Sequence, residues 1–253
     1  MNKTDGTIDT LIFDLFGVLF KFDTIPAIRY LGVCDVILYY LRFQQNPFKR
    51  ALNVLNEMRL EVPNEYQDLM MYKNIYLPES FVNWQKGLLS RHDLVHKIHV
   101  YIHHLDRNHY FASEQDRKSV ESLLMLFAHP SQLVDSFYPP AHVIQLLEKI
   151  HAQKRYKLFI ISNIDTETYK LVTTKHPNFF ALFDGFIASC NVHMIKPDPA
   201  IYQYALEKYN LAPERCYFID DQGENIAAAQ KLGINTLLCP KPSKLAEILE
   251  PLL

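Results

Sequence analysis

From about residue 136 onward, short apolar runs alternate with segments of helical periodicity, and this alternation restricts the fold more than any other feature of the chain. The apolar runs read as strands at 156–162, 185–189, 216–220 and 235–239. The helical patterns lie at 139–153, 165–175, 198–210 and 223–233. Because strands that alternate with helices are joined by crossover connections, the pattern predicts an α/β fold with a doubly wound, mostly parallel sheet covered on both faces.

The segment TLIFDLFGVLF, residues 10–20, adds one more strand to this predicted sheet. Its first residues favour extended structure, and Asp14 follows them directly. Gly17 comes where a chain leaving a strand often needs unusual dihedral angles. Ligands of open α/β sheets bind beyond the carboxyl ends of the strands, so an acid at this position suits chemistry. An aspartate that caps the next turn is an equal alternative from this segment alone.

Residues 22–134 have a different pattern and separate the first strand from the rest of the sheet. They contain only two glycines, Gly32 and Gly87. Their apolar spacing is helical in three stretches, 35–43, 47–60 and 119–128. We therefore predict an all-helical cap domain over 22–134, inserted into an α/β core domain formed by 1–21 and 135–253.

Composition excludes several classes of protein. A net charge of −2 without a Lys/Arg block predicts no nucleic-acid partner and no membrane partner. No apolar run approaches the ~18 residues of a membrane span, and Asp5, Asp9 and Asp14 argue against a signal peptide. The four cysteines form no C-x-x-C pair and are predicted to be reduced thiols: Cys34, Cys190, Cys216 and Cys239. We expect a cytoplasmic protein, and the pattern predicts no particular oligomeric state.

Further polar residues fall at the ends of the predicted strands. Ser162 and Asn163 end one strand, and Asp220 and Asp221 end another. Lys196 follows the 185–189 strand by a short loop. Because parallel strands end at the same edge of a sheet, we expect these side chains and Asp14 on one rim. Carboxylates, a hydroxyl and a cation together favour a chemical site over turn chemistry.

Four motifs along the chain resemble those of the haloacid dehalogenase-like hydrolase superfamily. FDLFGVL resembles its first motif, ISN its second, IKPDPAIY its third and FIDDQGENIAAAQKLGI its fourth. The helical insertion sits where such proteins carry a cap, and WQKGLLSRHDL resembles a common cap segment. The chain is most similar to the subgroup with an all-helical cap, which includes bacterial sugar-phosphate phosphatases. The resemblance implies a Rossmann-like core and the transfer of phosphoryl groups.

The resemblance also implies catalytic and phosphate-binding roles. Asp14 is the expected nucleophile, which forms an aspartyl-phosphate and so divides one difficult displacement into two. Ser162 is expected to donate to a phosphate oxygen, with help from the amide of Asn163. Lys196 is expected to offset charge on the phosphate and on Asp14. The implied substrate is a small phosphorylated metabolite, with the cap closing over it.

A metal site is implied as well, and Mg²⁺ is the expected cofactor because hard oxygen ligands are present. The expected ligands are Asp14, the backbone carbonyl of Phe16, Asp220 and Asp221. Asn225 is expected in the first turn of the following helix, where it would orient Lys196 or Asp220.

Phe16 departs from the family pattern. Most phosphatases of the superfamily carry a second aspartate there, which serves as general acid, and phenylalanine cannot do so. An aromatic residue at this position resembles the pattern of the 2-haloacid dehalogenases, which displace a halide that needs no proton. Those enzymes usually lack the paired acids of the fourth motif, whereas this chain has Asp220 and Asp221. A metal-dependent phosphatase is therefore the main prediction. Two alternatives remain: a non-catalytic regulatory protein that binds phosphate and metal, and a dehalogenase-type hydrolase.

Other polar patterns have mainly structural interpretations. Four histidines at helical spacing lie on one face of a predicted helix: His92, His96, His99 and His103. The spacing is compatible with metal binding, but such histidines more often form a solvated or capping face. Capping-box patterns at Ser90 and Ser113 predict helix starts, and Asp165 and Asp198 are predicted N-caps.

Overall fold

The computed structural model describes residues 8–44, 46, 49–51, 53–54, 71–72, 75–76 and 78–252. The chain divides into two compact units, Met1–Phe22 with Phe137–Leu253, and Asp23–Ser136. The first unit contains a parallel sheet, and the described part of the second unit is mostly helical.

The strands are β1 (Thr10–Phe13), β2 (Lys21–Phe22), β3 (Met71–Tyr72), β4 (Ile75–Tyr76), β5 (Phe137–Tyr138), β6 (Lys157–Ser162), β7 (Gly185–Ala188), β8 (Cys216–Asp220) and β9 (Asn235–Leu238). Five of them form one sheet in the order β7-β6-β1-β8-β9, and every pair in it is parallel. Two short antiparallel ladders join β2 to β5 and β3 to β4. The predicted parallel α/β sheet is confirmed.

The described α-helices of both units are numbered in chain order. They are α1 (Thr24–Leu31), α2 (Val33–Phe43), α3 (Glu79–Gln85), α4 (Arg91–Arg107), α5 (Glu114–Phe127), α6 (Pro130–Leu133), α7 (Ala141–Gln153), α8 (Thr166–Lys175), α9 (Pro177–Phe180), α10 (Ser189–Val192), α11 (Pro199–Tyr209), α12 (Gly223–Gln230) and α13 (Leu245–Leu249). Helices therefore separate the successive strands of the sheet after β1, as the alternating pattern predicts.

β1 is the central strand, and its sequence explains why. All four of its residues are buried, which is typical of a parallel strand covered on both faces. Phe13 lies level with Ile160 of β6 and with Ile219 of β8, so the three strands end close together. In the sheet, β6 and β7 lie on one side of β1, whereas β8 and β9 lie on the other side. The order reverses at β1, and the crevice at such a switch point is where α/β sheets bind ligands.

Each unit has its own hydrophobic core. In the first unit, one face of the sheet packs against α11 and α12 through a cluster that includes Ile12, Phe159, Ile161, Ile187, Ile201, Tyr202, Ala205, Phe218, Ala228 and Ala229. In the second unit, a cluster on α3, α4 and α5 includes Trp84, Leu94, Ile98, Tyr101, Ile102, Val120, Leu123 and Leu124. The apolar positions on α4 and α5 recur every three or four residues, as an amphipathic helix requires.

The predicted helix starts are confirmed. Ser90 is the N-cap of α4, and its hydroxyl accepts a hydrogen bond of 3.1 Å from the N–H of Asp93. Ser113 caps α5 in the same way, at 3.2 Å from the N–H of Asp116. Such caps satisfy backbone donors that the first turn of a helix leaves unpaired.

Asp165 and Asp198 are also N-caps, which confirms their structural interpretation. One carboxylate oxygen of Asp165 accepts from two backbone N–H groups at the start of α8, and Asp198 accepts from the N–H of Ala200 in α11. Burial raises the pKa of Asp165, although the N–H donors oppose that shift. Both aspartates hold helix ends in place.

The structure differs from the sequence predictions at short elements. The strand predicted over 185–189 ends at Ala188, because Ser189 begins the short helix α10. The insertion predicted as all-helical contains the β3–β4 ladder. Two-residue strands have no periodicity to detect, which explains the omission. Of the helix predicted over 47–60, residues 49–51 and 53–54 are helical, and the rest lies outside the described residues.

Three of the cysteines are free and buried, in agreement with the prediction of reduced thiols: Cys190, Cys216 and Cys239. The side chain of Cys34 lies outside the described residues. Within the described ranges, no helix combines the length and apolar character needed to cross a membrane.

Candidate active site

Asp14 stands at the carboxyl end of the central strand. Its N–H donates to the carbonyl of Ile219 at 2.8 Å, which continues the β1–β8 ladder by one residue. The residue is 4% exposed, so its carboxylate is nearly removed from water. Burial raises the pKa of Asp14 from 3.8 to about 7; Lys196 opposes the shift, and Asp220 and Asp221 add to it. The strand end predicted from the sequence therefore carries a strongly perturbed acid.

Lys196 lies between two carboxylates. Its Nζ is 2.8 Å from Oδ1 of Asp14 and 2.7 Å from Oδ2 of Asp220, and the residue is 1% exposed. Nζ is also 5.4 Å from the centroid of the Phe218 ring. Burial alone would lower the pKa of Lys196, but the two carboxylates outweigh it and raise the pKa. The ammonium group is therefore charged and links β1 to β8.

Asp220 ends β8 and is completely buried. Its Oδ1 accepts from the N–H of Gln222 at 2.8 Å. The side-chain amide of Asn225, in the first turn of α12, donates to both carboxylate oxygens of Asp220 at 3.0 and 3.1 Å. With Lys196 as a further partner, the Asp220 carboxylate is held in one orientation.

Asp221 is half-buried, and the loop after β1 passes close to it. Gly17 has a φ of +96°, which L-residues with a side chain rarely adopt. A Cβ at position 17 would lie 2.7 Å from Oδ2 of Asp221. Only glycine allows this approach without a shift of one of the two groups. The sequence indicated an unusual backbone at Gly17 but not its contact with Asp221.

The residues fit a metal ion and a phosphate group. Oxygen atoms of Asp14, Asp220 and Asp221 lie within 4.8 Å of one another, and carboxylate oxygens are the ligands that hard cations prefer. Ser162, at the end of β6, is 1% exposed, and its Oγ has no hydrogen-bond partner among the described residues. A buried hydroxyl without a partner costs free energy, and a bound anion would satisfy it.

The structure places the remaining predicted residues as follows. Asn163 lies directly after β6, and its side chain bonds to the main chain of Lys196 at 2.8 and 2.9 Å. Phe16 is half-buried in the loop after β1, and its ring centroid is 4.6 Å from that of Phe137 and 6.2 Å from that of Phe20.

The histidines of α4 do not form a metal cluster. In the part of the chain that the structure describes, the group Asp14, Asp220 and Asp221 is the one whose ligand atoms converge on a metal-sized space. His99 instead lies 3.6 Å from Glu121 of α5, and the His92 side chain is 93% exposed. These positions agree with a largely solvated helix face.

Tyr202 is a site residue that the sequence reasoning missed. Its hydroxyl donates to the main-chain carbonyl of Asn225 at 3.2 Å, and its ring packs edge-on against Phe218. Burial raises the pKa of the Tyr202 hydroxyl, so it stays protonated and donates. Tyr202 is the last residue of the motif IKPDPAIY, and this position in the sequence could have indicated that it lies near the site.

Fold and site together are those of an α/β protein with an acidic centre at the switch point of its sheet. A family model described as haloacid dehalogenase-like hydrolase matches residues 8–233. The chain belongs to the haloacid dehalogenase-like hydrolase family, as its motifs predicted.

Two curated relatives have different activities in their names. The (S)-2-haloacid dehalogenase 4A of Burkholderia cepacia is 28% identical over 123 residues, which are 49% of this chain and 50% of the relative. The sesquiterpene phosphatase astK of Aspergillus oryzae is 30% identical over 96 residues, which are 38% of this chain and 48% of the relative. The match spans half or less of the length of each of these relatives.

Solved structures share the fold over nearly the whole chain. A family enzyme from Bacteroides thetaiotaomicron, in complex with magnesium and inorganic phosphate, has a TM-score of 0.54 at 19% identity, covering 91% of this chain and 93% of that chain. A dehalogenase with an intermediate complex has a TM-score of 0.57 at 19% identity, covering 98% and 97%. At these identities the likeness concerns the fold.

Proposed function

We propose that this protein is a Mg²⁺-dependent phosphatase or phosphotransferase that acts on a small phosphorylated metabolite through an aspartyl-phosphate at Asp14. The observation that carries the proposal is the convergence of Asp14, Lys196 and the Asp220–Asp221 pair. At the end of the neighbouring strand β6, the buried hydroxyl of Ser162 has no partner among the described residues. The phosphatase named among the relatives and the solved neighbour with magnesium and phosphate agree with the proposal.

The roles follow from the chemistry of a phosphate ester, whose negative charge repels a nucleophile. A carboxylate oxygen of Asp14 attacks phosphorus, the bond to the leaving oxygen breaks, and the phosphoryl group is carried on Asp14. Water then attacks this acyl phosphate, which releases inorganic phosphate and restores the carboxylate. Lys196 contacts Oδ1 of Asp14, so Oδ2 is the oxygen better placed to attack.

Charge stabilisation comes from donors around the phosphoryl group. Ser162 Oγ and the N–H of Asn163 would donate to its oxygens, and Lys196 would offset its charge. Asp14, Asp220, Asp221 and the Phe16 carbonyl would hold Mg²⁺, which when bound supplies positive charge to the phosphoryl oxygens. Asn225 and Lys196 keep the Asp220 carboxylate oriented for that purpose.

Cleavage of a carbon–halogen bond is the second candidate. Two observations favour it: Phe16 supplies no general acid, and one relative is named a 2-haloacid dehalogenase. Three converging carboxylates argue for the phosphatase, because their mutual repulsion is relieved by a bound cation. A non-catalytic protein that binds phosphate and metal is the third possibility.

A substrate panel distinguishes these three functions. Phosphate release from phosphorylated metabolites is measured with Mg²⁺ and with excess EDTA, and halide release from 2-haloacids is measured in parallel. We expect phosphate release that EDTA abolishes. Halide release that survives EDTA would identify a dehalogenase instead, and phosphate binding without turnover of any compound would identify a binding protein.

A further inference from the structure

The loop that carries Lys196 lies between α10 (Ser189–Val192) and α11 (Pro199–Tyr209), and Lys196 belongs to no strand or helix. No sheet ladder therefore fixes the main chain at this position. The Nζ atom at the end of the long side chain nonetheless contacts Asp14 and Asp220 at 2.8 and 2.7 Å. Some other group must hold the peptide from which this side chain starts.

The side chain of Asn163 provides that support. Its Nδ2 donates to the carbonyl of Lys196 at 2.9 Å, and its Oδ1 accepts from the N–H of Lys196 at 2.8 Å. One carboxamide thus pairs with both hydrogen-bonding groups of a single residue, across 33 positions of sequence. In a β-sheet, the N–H and C=O of one residue make two such bonds to the main chain of a neighbouring strand. Here the side-chain carboxamide of Asn163 takes the place of that neighbouring strand.

We infer that Asn163 is a positioning residue for Lys196. Its side chain fixes the main chain of Lys196 so that Nζ stays between the two carboxylates and beside the phosphoryl group. The inference rests on the proposed function for its catalytic consequence, but the geometric claim stands apart from it. A displacement of about 1 Å at a reacting group can cost ~100-fold in rate, so such support has a measurable effect.

The chemistry of the pair explains why an amide is required. An aspartate at position 163 is close in shape and can accept from the Lys196 N–H, but it has no hydrogen to donate to the Lys196 carbonyl. It would instead place a negative charge against that carbonyl oxygen. The main-chain N–H of residue 163, which is expected to bind phosphate, is unchanged by the substitution. Asn163→Asp therefore separates the side-chain role from the main-chain role.

The test compares the Asn163→Asp variant with the wild-type protein in two measurements. A crystal structure of the variant is expected to show Lys196 Nζ displaced beyond about 4 Å from Asp14 Oδ1, the limit for an ion pair. With p-nitrophenyl phosphate and Mg²⁺, kcat is expected to fall by about 10- to 100-fold. Mg²⁺ affinity, read by calorimetry, is expected to fall less than kcat, because Gln222 and Asn225 still hold the Asp220 carboxylate.

A matched control removes the effect of the added charge. Asn191→Asp introduces the same change at an exposed position in α10 and should leave kcat within about threefold of wild type. If Asn163→Asp does not fold, Asn163→Ala removes both side-chain bonds to Lys196 without adding charge and takes its place.

An Nζ that remains at its wild-type distance from Asp14 would overturn the inference, and so would a kcat that stays within about threefold of wild type. A loss of Mg²⁺ affinity equal to the loss of kcat would also contradict it, because that pattern indicates general damage to the site. A wild-type protein that hydrolyses no phosphate ester would contradict the proposed function, while the position of Nζ still decides the positioning role.

Discussion

Lys196 is a buried ammonium group between two buried carboxylates, and each charge depends on the others. Removing an ion from water costs several kcal/mol, which only close partners and further hydrogen bonds offset. Asp220 has such partners in Gln222, Asn225 and Lys196. Asp14 has Lys196, and burial still raises its pKa to about 7. A site with this charge arrangement is poised to bind an additional cation.

The first prediction concerns Asp220 as a metal ligand. Asp220→Asn keeps the shape of the side chain but removes its charge, so Mg²⁺ affinity should fall by at least about tenfold. Isothermal titration calorimetry measures the affinity. Asp9→Asn is the matched control, because Asp9 precedes the neighbouring parallel strand β1, at the opposite edge of the sheet from Asp220, and pairs with Arg215. Equal affinities of wild type and Asp220→Asn would remove Asp220 from the metal site.

The second prediction concerns Phe16 and the leaving group. General acid catalysis supplies roughly 10²–10⁴-fold, and alkyl phosphates need it most because their leaving groups are strong bases. The wild-type protein should therefore prefer aryl, acyl and anomeric phosphates. Phe16→Asp should narrow the ratio of kcat/KM between p-nitrophenyl phosphate and an alkyl phosphate by about tenfold or more.

Phe16→Asn serves as the control, since it loses the ring contacts with Phe137 and Phe20 without adding an acid. The ratio of kcat/KM between p-nitrophenyl phosphate and the alkyl phosphate should stay as large as in the wild type. A wild-type protein that hydrolyses the alkyl ester as fast as the aryl ester would show that another residue donates the proton.

Among the elements, the turn after β1 is held by main-chain hydrogen bonds close to Asp221, which follows β8. The N–H groups of Leu19 and Phe20 donate back to the carbonyl of Leu15 at 3.0 and 2.7 Å, and Gly17 donates to Phe20 at 3.0 Å. These bonds fold the segment tightly over the strand end. Gly17 is the position where this turn approaches Asp221.

The third prediction follows from that turn. Gly17→Ala should destabilise the protein by about 1–3 kcal/mol, because alanine is strained at a φ of +96°. It should also weaken Mg²⁺ binding, since its Cβ would displace the Asp221 carboxylate. Urea unfolding and calorimetry measure the two effects. Gly223→Ala is the control: its Cβ would meet nothing within 4 Å, and its stability should change by less than about 1 kcal/mol. Equal stabilities of the two variants would contradict the assigned role of the turn.

For the molecule as a whole, the buried thiols of the first unit can be used as probes of its unfolding. Burial raises the pKa of Cys239 from 9.0 to about 11 and that of Cys216 from 9.0 to about 12. The thiolate is the reactive form, so a higher pKa leaves less of it at any given pH.

The fourth prediction is that these thiols react slowly with iodoacetamide. At pH 8 the thiolate fractions of Cys239 and Cys216 should be about 100-fold and 1000-fold below that of an unperturbed thiol. Labelling should rise tenfold for each unit of pH and should become fast in urea. Peptide-resolved mass spectrometry follows each cysteine separately. Rapid labelling of Cys216 in native protein would show that β8 is more accessible than the structure indicates.

Most of the sheet could be predicted from the sequence, because its strands are continuous apolar runs that polar residues follow. The same rule selected Asp14, Ser162 and Asp220, since parallel strands with aligned registers end at one edge. Lys196 lies in a loop shortly after the 185–189 strand, and this position predicted it on the same rim; the resemblance of IKPDPAIY to a family motif implied its role.

Other features depend on tertiary placement and have no local signal. The bonds between the Asn163 side chain and Lys196, and the approach of Gly17 to Asp221, arise only when distant loops meet at the sheet edge. The β2–β5 ladder is too short for any period to be recognised. The assignment of residues 22–134 to a cap that selects the substrate stays a prediction.

Asp14 is proposed to accept the phosphoryl group, and replacing it by its uncharged isostere tests this role. Mg²⁺-dependent phosphate release from p-nitrophenyl phosphate is measured for wild type and for Asp14→Asn, with Asp9→Asn as a control and thermal unfolding to verify the fold. We expect Asp14→Asn to retain less than about a hundredth of the wild-type kcat, and Asp9→Asn to stay within about threefold of it. A folded Asp14→Asn variant that retains more than that hundredth would contradict a covalent mechanism at Asp14.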